Sequence, residues 1–446
     1  MQGSLPSFRL PPPTAHRDLQ DGAWWQEALP AWSRIEPEVF LDPAWQIRHT
    51  VTSAAALLDL VGDVAPRRFG PDLERGVRRA PMALRIPPFL VSLVDWRHPY
   101  ADPLRRQFAP LGSEGEPDHP LAAPDVLAEQ RDTVAPCLVR RYPSKALLLA
   151  LDACPVHCRC CTRAYVVARG APASARTRLP SPDPSRWEPA LAWVSEHEEI
   201  EDLTISGGDA LLLPPARVLQ ICQRLLSIAH VRRIRLATRL LSACPMAFLP
   251  GRSWPRLLSR LAASGRRRGV QISLQVHVGH AQEVTALTAR AVATLVEGGV
   301  TVRSQTVLQR GVNDDPTSLI LLLRRLAWVG VHPVYVYLHD LVPGVEALRT
   351  SLADACELER QVRGTLAGFD TPAFVVDLPG GGGKREIHSY DAYDRRTGLA
   401  VFRSPAVAPG RRFLAADPLR GLDAAVQAAW RDPEARARMV EAAGAS

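Results

Sequence analysis

Three cysteines on one short stretch, Cys154, Cys158 and Cys161, are the residues whose types and spacing point most directly to chemistry. They follow an apolar run over 146–151 that is typical of a buried strand, so the spacing C-x3-C-x2-C predicts three thiols on a single loop. Three thiolates can bind three irons of a 4Fe–4S cluster and leave the fourth iron open to an exchangeable ligand. The motif therefore predicts an iron–sulfur site.

Zinc is the alternative ligand, because soft thiolates also bind zinc. Structural zinc sites usually add a second Cys or His pair further along the chain, and no such pair follows Cys161. The spacing therefore favours a cluster of the kind that cleaves S-adenosylmethionine (SAM). We interpret the adjacent Cys160 as a bystander, since neighbouring thiols rarely reach one cluster corner together.

A second motif, Ser206-Gly207-Gly208-Asp209, ends another strand-like segment. Glycines let the backbone approach a ligand closely, and a carboxylate accepts hydrogen bonds from an ammonium group such as that of SAM. Gly-Gly turns are common after strands, so this motif gains its weight from the cysteine loop. Together the two motifs predict a SAM site.

A third motif is a run of glycines that ends at Lys384. A phosphate-binding P-loop would require other residues where this chain has Leu378 and Arg385, so that interpretation fails. A lysine on a flexible glycine loop is suited to forming a Schiff base with an aldehyde cofactor. An exposed lysine on a surface loop is the simpler alternative, and the loop alone does not separate the two.

The elements that must position these motifs alternate along the chain. Beyond residue 145, strand-like and helix-like segments follow each other, which predicts βα units around a parallel sheet. Predicted strands span 145–151, 201–206, 233–238, 270–277, 301–307, 333–338 and 373–377, and predicted helices span 186–197, 215–229, 254–267, 282–297, 316–328 and 352–367. We predict an α/β fold, a partial (β/α) barrel with function at the carboxyl ends of its strands.

Four regions are expected within the 446 residues. Residues 1–30 are Pro-rich and expected to be partly disordered, 31–136 form an N-terminal helical region, 137–385 form the barrel, and 386–446 form a short C-terminal extension. No apolar run has membrane-spanning length and the first residues lack a signal-peptide core, so a cytoplasmic protein is expected. The net charge of +8 comes largely from arginine clusters without interleaved aromatics, which argues against nucleic-acid binding.

In their order along the chain, these motifs resemble the lysine 2,3-aminomutase family of radical SAM enzymes that use pyridoxal phosphate (PLP). The similarity runs from about residue 45 to Lys384 and includes Arg141-Tyr142-Pro143, Gln305-Thr306-Val307-Leu308 and Arg310-Gly311-Val312-Asn313-Asp314. The resemblance implies a radical SAM barrel and an isomerase. Its expected reaction moves the α-amino group of a basic L-amino acid to the β-carbon, with L-lysine to β-lysine as the leading expectation.

The resemblance also implies which residues bind the cofactors. The cluster would be held by Cys154, Cys158 and Cys161, and PLP would be bound covalently by Lys384. The other matching positions are Arg141, Tyr142, Lys145 and Tyr337 for PLP, and Ser206, Gly207, Gly208, Asp209, His277 and Gln305 for SAM.

Three further positions match residues that bind the substrate. Arg163 matches the residue that pairs with the substrate carboxylate, a task suited to a bidentate guanidinium. Asp340 and Asp377 match the acids that receive the side-chain ammonium of lysine. Two acids in a closed barrel stay ionised only near a cation, so they select a basic side chain.

The chain departs from the family in several places. Lys145 and His339 lie where Arg and Cys are expected. The carboxy-terminal zinc cysteines are missing, with Asp315 in the first of those places and no cysteine after Cys356. The sequence therefore does not predict the zinc-supported subunit contact of the family, and a homo-oligomer stays open.

The expected partners are a small amino acid substrate and an electron donor such as flavodoxin or ferredoxin. The nearest alternative function is the same reaction on arginine or another cationic amino acid in a natural-product pathway, because paired acids bind guanidinium as readily as ammonium. Two others are modification of a lysine on elongation factor P and a non-catalytic iron–sulfur protein. Relatives that act on elongation factor P look shorter and lack the loop from Asp377 to Lys384.

Overall fold

A computed structural model describes residues 10–167, 184–404 and 406–444. Within these residues a ten-stranded sheet forms the centre of the molecule, and its strands lie side by side in chain order. They are β1 (Thr133–Ala135), β2 (Leu138–Tyr142), β3 (Lys145–Leu151), β4 (Asp202–Gly207), β5 (Arg233–Thr238), β6 (Gln271–His277), β7 (Thr301–Val307), β8 (His332–Tyr337), β9 (Ala373–Leu378) and β10 (Gly383–Glu386). Strands β3 to β9 are parallel, whereas β1, β2 and β10 pair antiparallel at the two ends. The predicted α/β fold is confirmed.

Helices cover the outside of this sheet and form most of the N-terminal region. Those described are α1 (Trp25–Ala28), α2 (Pro37–Phe40), α3 (Pro43–Arg48), α4 (Ala54–Val61), α5 (Phe69–Arg79), α6 (Pro88–Val91), α7 (Pro103–Phe108), α8 (Ala164–Val167), α9 (Pro184–Glu196), α10 (Pro215–Leu226), α11 (Leu240–Ala243), α12 (Ser253–Arg267), α13 (Ala286–Glu297), α14 (Pro316–Trp328), α15 (Leu352–Val362), α16 (Ala424–Arg431) and α17 (Pro433–Ala442). In the described part of the chain, no helix has the length and apolar character needed to span a membrane.

Burial along the strands explains how they orient the site. The last four residues of β3 are all buried, as expected of a parallel strand covered on both faces. Strand β7 alternates instead, with Ser304 and Thr306 buried while Gln305 and Val307 line a central cavity. Successive side chains point to opposite faces of a strand, so β7 presents every second residue to the interior of the barrel.

The two ends of the sheet approach each other and are linked by side chains. Arg141 on β2 lies 3.4 Å from Asp377 on β9, measured between Nη1 and Oδ1. The amide of Lys384 on β10 donates a hydrogen bond of 2.9 Å to the hydroxyl of Tyr142 on β2. The sheet therefore curves into a partial (β/α) barrel. Its seam, where β2 meets β9 and β10, is joined by residues that the sequence analysis predicts to form the site.

The region expected to be partly disordered is described from residue 10, and residues 1–9 lie outside the described residues. Between residues 10 and 30, Trp25 is 2% exposed. Its ring stacks on Phe40 with a centroid distance of 4.2 Å, and Trp24 Nε1 donates to Ser92 Oγ. These aromatic contacts pack the part of the segment around Trp24 and Trp25 against the N-terminal helices.

The C-terminal extension contains more structure than its sequence pattern predicts. A separate antiparallel sheet comprises β11 (Ala392–Asp394), β12 (Leu399–Arg403) and β13 (Arg412–Ala416). Trp430 on α16 is fully buried, in one apolar cluster with Val126, Leu127 and Leu341. The extension therefore packs against the segments on either side of the barrel seam.

Candidate functional site

The carboxyl ends of the parallel strands border two adjoining cavities. The lysine cavity, of about 260 Å³, is bordered by Lys384, Asp377, Asp340 and Arg163. The thiol cavity, of about 180 Å³, contains the cysteines of the predicted cluster loop. Residues bordering both are Thr162, Arg163, Ser206, Ala237, Gln275, Gln305 and Val307. A larger cavity of about 360 Å³ lies beside the N-terminal region, but none of the predicted site residues borders it.

Hydrogen bonds to main-chain carbonyls fasten the cysteine loop to the N-terminal region. Arg85 Nε donates to the carbonyl of Cys154 at 2.8 Å, and the amide of His157 donates to the Arg85 carbonyl at 3.0 Å. The amide of Arg159 donates to the Gln107 carbonyl at 3.0 Å. Sequence patterns gave this region no chemical role, yet it fixes the backbone of the loop.

Cys154, Cys158 and Cys161 all border the thiol cavity, as does the buried Cys160. Burial raises the pKa of Cys161 to about 12, whereas contact with the Cys160 thiol lowers the pKa of Cys158. Among the described residues, no group of three or more His, Cys, Asp or Glu side chains is arranged to hold a metal ion. Three thiols bordering one cavity suit the separated corners of a cluster.

The Gly-Gly turn packs on the cysteine loop itself. Gly207 has φ of +108°, and a Cβ on Gly208 would lie 2.1 Å from the carbonyl oxygen of Ala153. The sequence pattern predicts that these glycines admit a ligand. The structure shows that they first admit the backbone that leads into Cys154, because no side chain fits between the two strands there.

Asp209 is buried and bonded within the protein. Its carboxylate accepts hydrogen bonds from Thr238 Oγ1 and from the amides of Leu211, Arg239 and Leu240. Burial raises its pKa to about 6 despite these bonds. Asp209 thus ties the end of β4 to the end of β5, and the predicted contact with the SAM ammonium would require one of these bonds to be exchanged.

Two further residues predicted near SAM lie at the ends of neighbouring strands. His277 ends β6 and borders the thiol cavity, and its buried Nε2 has no hydrogen-bond partner among the described residues. Gln305 on β7 is paired in register with His277 and borders both cavities. His277 also interacts with Cys158, whose pKa it helps to lower, so it lies directly beside the cysteine loop.

Lys384 lies on β10 rather than on a flexible glycine loop, which corrects the sequence-based description of its setting. It pairs with Asp377 of β9 across the antiparallel ladder, and its Nζ lies 2.9 Å from Asp377 Oδ2. Burial would raise the pKa of Asp377, but the charges of Lys384 and Arg141 hold it below its usual value. The same pairing raises the pKa of Lys384 against the effect of burial.

The aromatic and cationic residues predicted for PLP surround this pair. Lys145 Nζ lies 4.1 Å from the centroid of the Tyr142 ring, and Lys384 Nζ lies 5.6 Å from that of Tyr337. Burial lowers the pKa of Lys145, and the charges of Lys384 and Arg235 lower it further. A bound anion would relieve this repulsion, so the lysine cavity fits a phosphorylated aromatic cofactor.

Asp340 has a different environment from Asp377. Thr162 Oγ1 donates a hydrogen bond to its carboxylate, but no cation is paired with it among the described residues. Burial, with the nearby charge of Asp377, raises the pKa of Asp340 to about 7.

The adjacent His339 is buried, and burial lowers its pKa to about 4.

Arg163 is bonded to an acid that sequence reasoning missed. Its Nε and Nη2 donate to Glu129 Oε2 and Oε1 at 2.8 and 2.6 Å. The Tyr165 hydroxyl also donates to Glu129 Oε2, at 3.0 Å. Glu129 lies in an irregular segment without motif or periodicity, so no local signal identified it.

Comparison with known proteins gives consistent relatives. No family model matches the chain. L-lysine 2,3-aminomutase of Acetoanaerobium sticklandii is 33% identical over 360 residues, covering 80% of both chains. The enzymes of that name from Fusobacterium nucleatum and Clostridium subterminale are 33% and 32% identical, covering 79% and 78% of this chain and 77% of each of theirs. A radical SAM methyltransferase structure from Sphaerobacter thermophilus aligns with a TM-score of 0.33 at 17% identity, over 57% of this chain and 71% of its own, a likeness too slight to bear on the site.

Proposed function

Because this chain belongs to the L-lysine 2,3-aminomutase family, and is therefore a radical SAM aminomutase and an isomerase, we propose that it moves the α-amino group of a basic L-amino acid to the β-carbon with PLP as a second cofactor. The proposed substrate is L-lysine and the product β-lysine. The observation that carries this proposal is the lysine cavity, where an amine, a guanidinium and two carboxylates border one volume beside the thiols.

The proposed cofactor ligands divide between the two cavities. In the thiol cavity, the cluster is assigned to Cys154, Cys158 and Cys161, and SAM to Ser206, Gly207, Gly208, Asp209, His277 and Gln305. In the lysine cavity, PLP is assigned to Lys384, Arg141, Tyr142, Lys145 and Tyr337. When bound, the cluster with SAM supplies hydrogen abstraction, and PLP supplies delocalisation of the unpaired electron.

The substrate is proposed to lie between Arg163 and the acid pair. Arg163 binds the α-carboxylate, and Asp340 and Asp377 bind the side-chain cation. Asp340 has a raised pKa of about 7, and a cation beside it would favour its ionised form. Glutamate has no side-chain cation to offer these acids, so the pocket selects against it.

Asp377 has a second proposed task, at the amine of Lys384. That amine is held as an ammonium by Asp377, and it must lose a proton before it can react with an aldehyde. Asp377 Oδ2 lies 2.9 Å from Lys384 Nζ, so we assign Asp377 to accept that proton. Once Asp377 has released that proton to solvent, its carboxylate is charged again, and the substrate cation takes the position that the ammonium of Lys384 has left.

The proposal is tested by an anaerobic assay of the reconstituted enzyme with SAM, PLP and dithionite. Lysine, arginine, ornithine and glutamate are offered separately, and β-amino acids are detected by mass spectrometry. We expect conversion of lysine and none of glutamate, with no product from Lys384→Ala. Conversion of arginine alone would keep the reaction and change the substrate, and no β-product from any of them would overturn the proposal.

A further inference from the structure

One buried acid of the lysine cavity has no part in the function proposed above. Glu129 is 3% exposed, and its two oxygens accept three hydrogen bonds, two from Arg163 and one from Tyr165. Burial would raise its pKa, but the charge of Arg163 holds it below its usual value. Glu129 is therefore a carboxylate at neutral pH, in contact with the residue assigned to the substrate.

The bonds between Glu129 and Arg163 use only one edge of the guanidinium. Nε and Nη2 face Glu129, while Nη1 has no hydrogen-bond partner among the described residues. A guanidinium carries five N–H donors in a planar fork, so its Nη1–Nη2 edge can bind a second carboxylate. Arg163 borders both cavities, which gives that edge access to a ligand.

The backbone around Glu129 is itself fixed. The side chain of Asp125 accepts hydrogen bonds from the amides of Glu129 and Gln130 at 2.8 and 2.9 Å. Ala128, just before Glu129, has φ of +55°, a conformation that costs energy outside glycine. The carbonyl of Leu127 accepts a hydrogen bond from Arg141 at 2.7 Å, so the same turn contacts Arg141 as well as Arg163.

Two carboxylates on one guanidinium repel each other, and a further positive charge must offset this. Arg141 provides it, since its charge also lowers the pKa of Glu129. Glu129 lies on a hydrogen-bonded turn, forms a bidentate bond with Arg163 and has a second cation nearby. These features indicate that Glu129 orients Arg163 and does not compete with the substrate for it.

We propose that Glu129 is a positioning residue that fixes the guanidinium of Arg163 with its Nη1–Nη2 edge toward the α-carboxylate of the amino acid. This inference rests on the proposed function for the identity of the ligand. Loss of Glu129 should therefore weaken the binding of a ligand that has an α-carboxylate. It should leave unchanged the binding of an otherwise identical ligand that lacks the carboxylate.

The test compares L-lysine with 1,5-diaminopentane, which is lysine without its carboxylate. Each is titrated into the anaerobic holoenzyme with PLP and cluster but without SAM, and binding is read from the absorbance of bound PLP. We expect Glu129→Gln to weaken lysine binding about tenfold or more, the scale of one charge-assisted hydrogen bond, and to leave diaminopentane binding unchanged.

A matched control is Glu359→Gln. Glu359 on α15 is 5% exposed and accepts a hydrogen bond of 2.6 Å from Arg363 Nε, but it borders neither cavity. This variant should bind both ligands like the wild type. Should Glu129→Gln fail to fold, Tyr165→Phe removes one bond to Glu129, and a smaller weakening for lysine alone is expected.

Three results would overturn the inference. Unchanged lysine binding in Glu129→Gln and Tyr165→Phe would mean that Glu129 does not orient Arg163. Tighter lysine binding in Glu129→Gln would mean that Glu129 competes with the substrate. Equal weakening of both ligands would mean a general loss of structure. In each case Arg163→Ala would still weaken lysine binding if the proposed function holds, whereas a wild type that binds neither ligand would overturn the proposed function and this inference together.

Discussion

The two cavities are held together by different kinds of bond. Around the thiol cavity the hydrogen bonds of the cysteine loop end on main-chain carbonyls, those of Cys154, Arg85 and Gln107, and Gly208 packs directly on Ala153. Around the lysine cavity, side-chain charges pair across the barrel seam, as in the contacts of Asp377 with Lys384 and Arg141. Changes of charge should therefore alter ligand choice in the lysine cavity, whereas the thiol cavity should be most sensitive to changes in backbone packing and in the cluster ligands.

The largest effect is expected from the cysteines. Cys158→Ser should abolish cluster binding, because a hydroxyl is a poor ligand for these irons, while Cys160→Ser should keep cluster iron near the wild-type amount. The iron and sulfide content per chain, measured after anaerobic reconstitution, gives the cluster occupancy of each variant. Equal loss of cluster iron in the two variants would show that Cys160 is a ligand and would contradict the assignment of the cluster to Cys154, Cys158 and Cys161.

Gly208→Ala tests whether the thiol cavity depends on backbone packing. The new Cβ would meet the Ala153 carbonyl oxygen at 2.1 Å, so the cysteine loop must shift, at a cost of about 3 kcal/mol. We expect a lower melting temperature and loss of most of the cluster iron. Gly368→Ala is the control, because nothing lies within 4 Å of that Cβ. Normal iron content in Gly208→Ala would contradict the packing argument.

In the lysine cavity, Asp377→Asn should destabilise the protein at neutral pH. The variant leaves Lys384 and Arg141 without their shared carboxylate, at a cost of roughly 2 kcal/mol. The pKa of Asp377 is lowered in the folded state, so its contribution is present at neutral pH and is lost on acidification. Melting temperatures of variant and wild type should thus converge as the pH falls below about 4. A constant difference would contradict this assignment.

Asp340→Asn should have the opposite and smaller effect. The pKa of Asp340 rises from 3.8 to about 7 on folding, so the wild type loses stability as the pH rises between these values. Without that carboxylate the variant should be more stable than the wild type at pH 8, and the difference should shrink at pH 5. Wild-type binding of lysine should weaken below pH 7, where Asp340 becomes protonated. Destabilisation at pH 8 would show that Asp340 is already paired with a cation.

The parallel strands β3 to β9 were predictable because each carries its own apolar pattern, and Cys154, Cys158 and Cys161 because their spacing is local. Strand β10 was missed since its glycines resemble a loop, and only its pairing with Asp377 makes it a strand. Glu129 was missed because its partner, Arg163, is distant in sequence. Asp315 caps α14 by accepting a hydrogen bond from the Ser318 amide, a local role that the helix pattern alone could have indicated.

The central claim, that one cavity moves an amine between neighbouring carbons, is tested most directly by following the nitrogen. L-Lysine labelled with 15N at the α-position is incubated anaerobically with the reconstituted enzyme, SAM, PLP and dithionite, and the product is examined by NMR. The account predicts 15N bonded to the β-carbon, and none there with Lys384→Ala. Cleavage of SAM with all 15N retained on the α-carbon would contradict it.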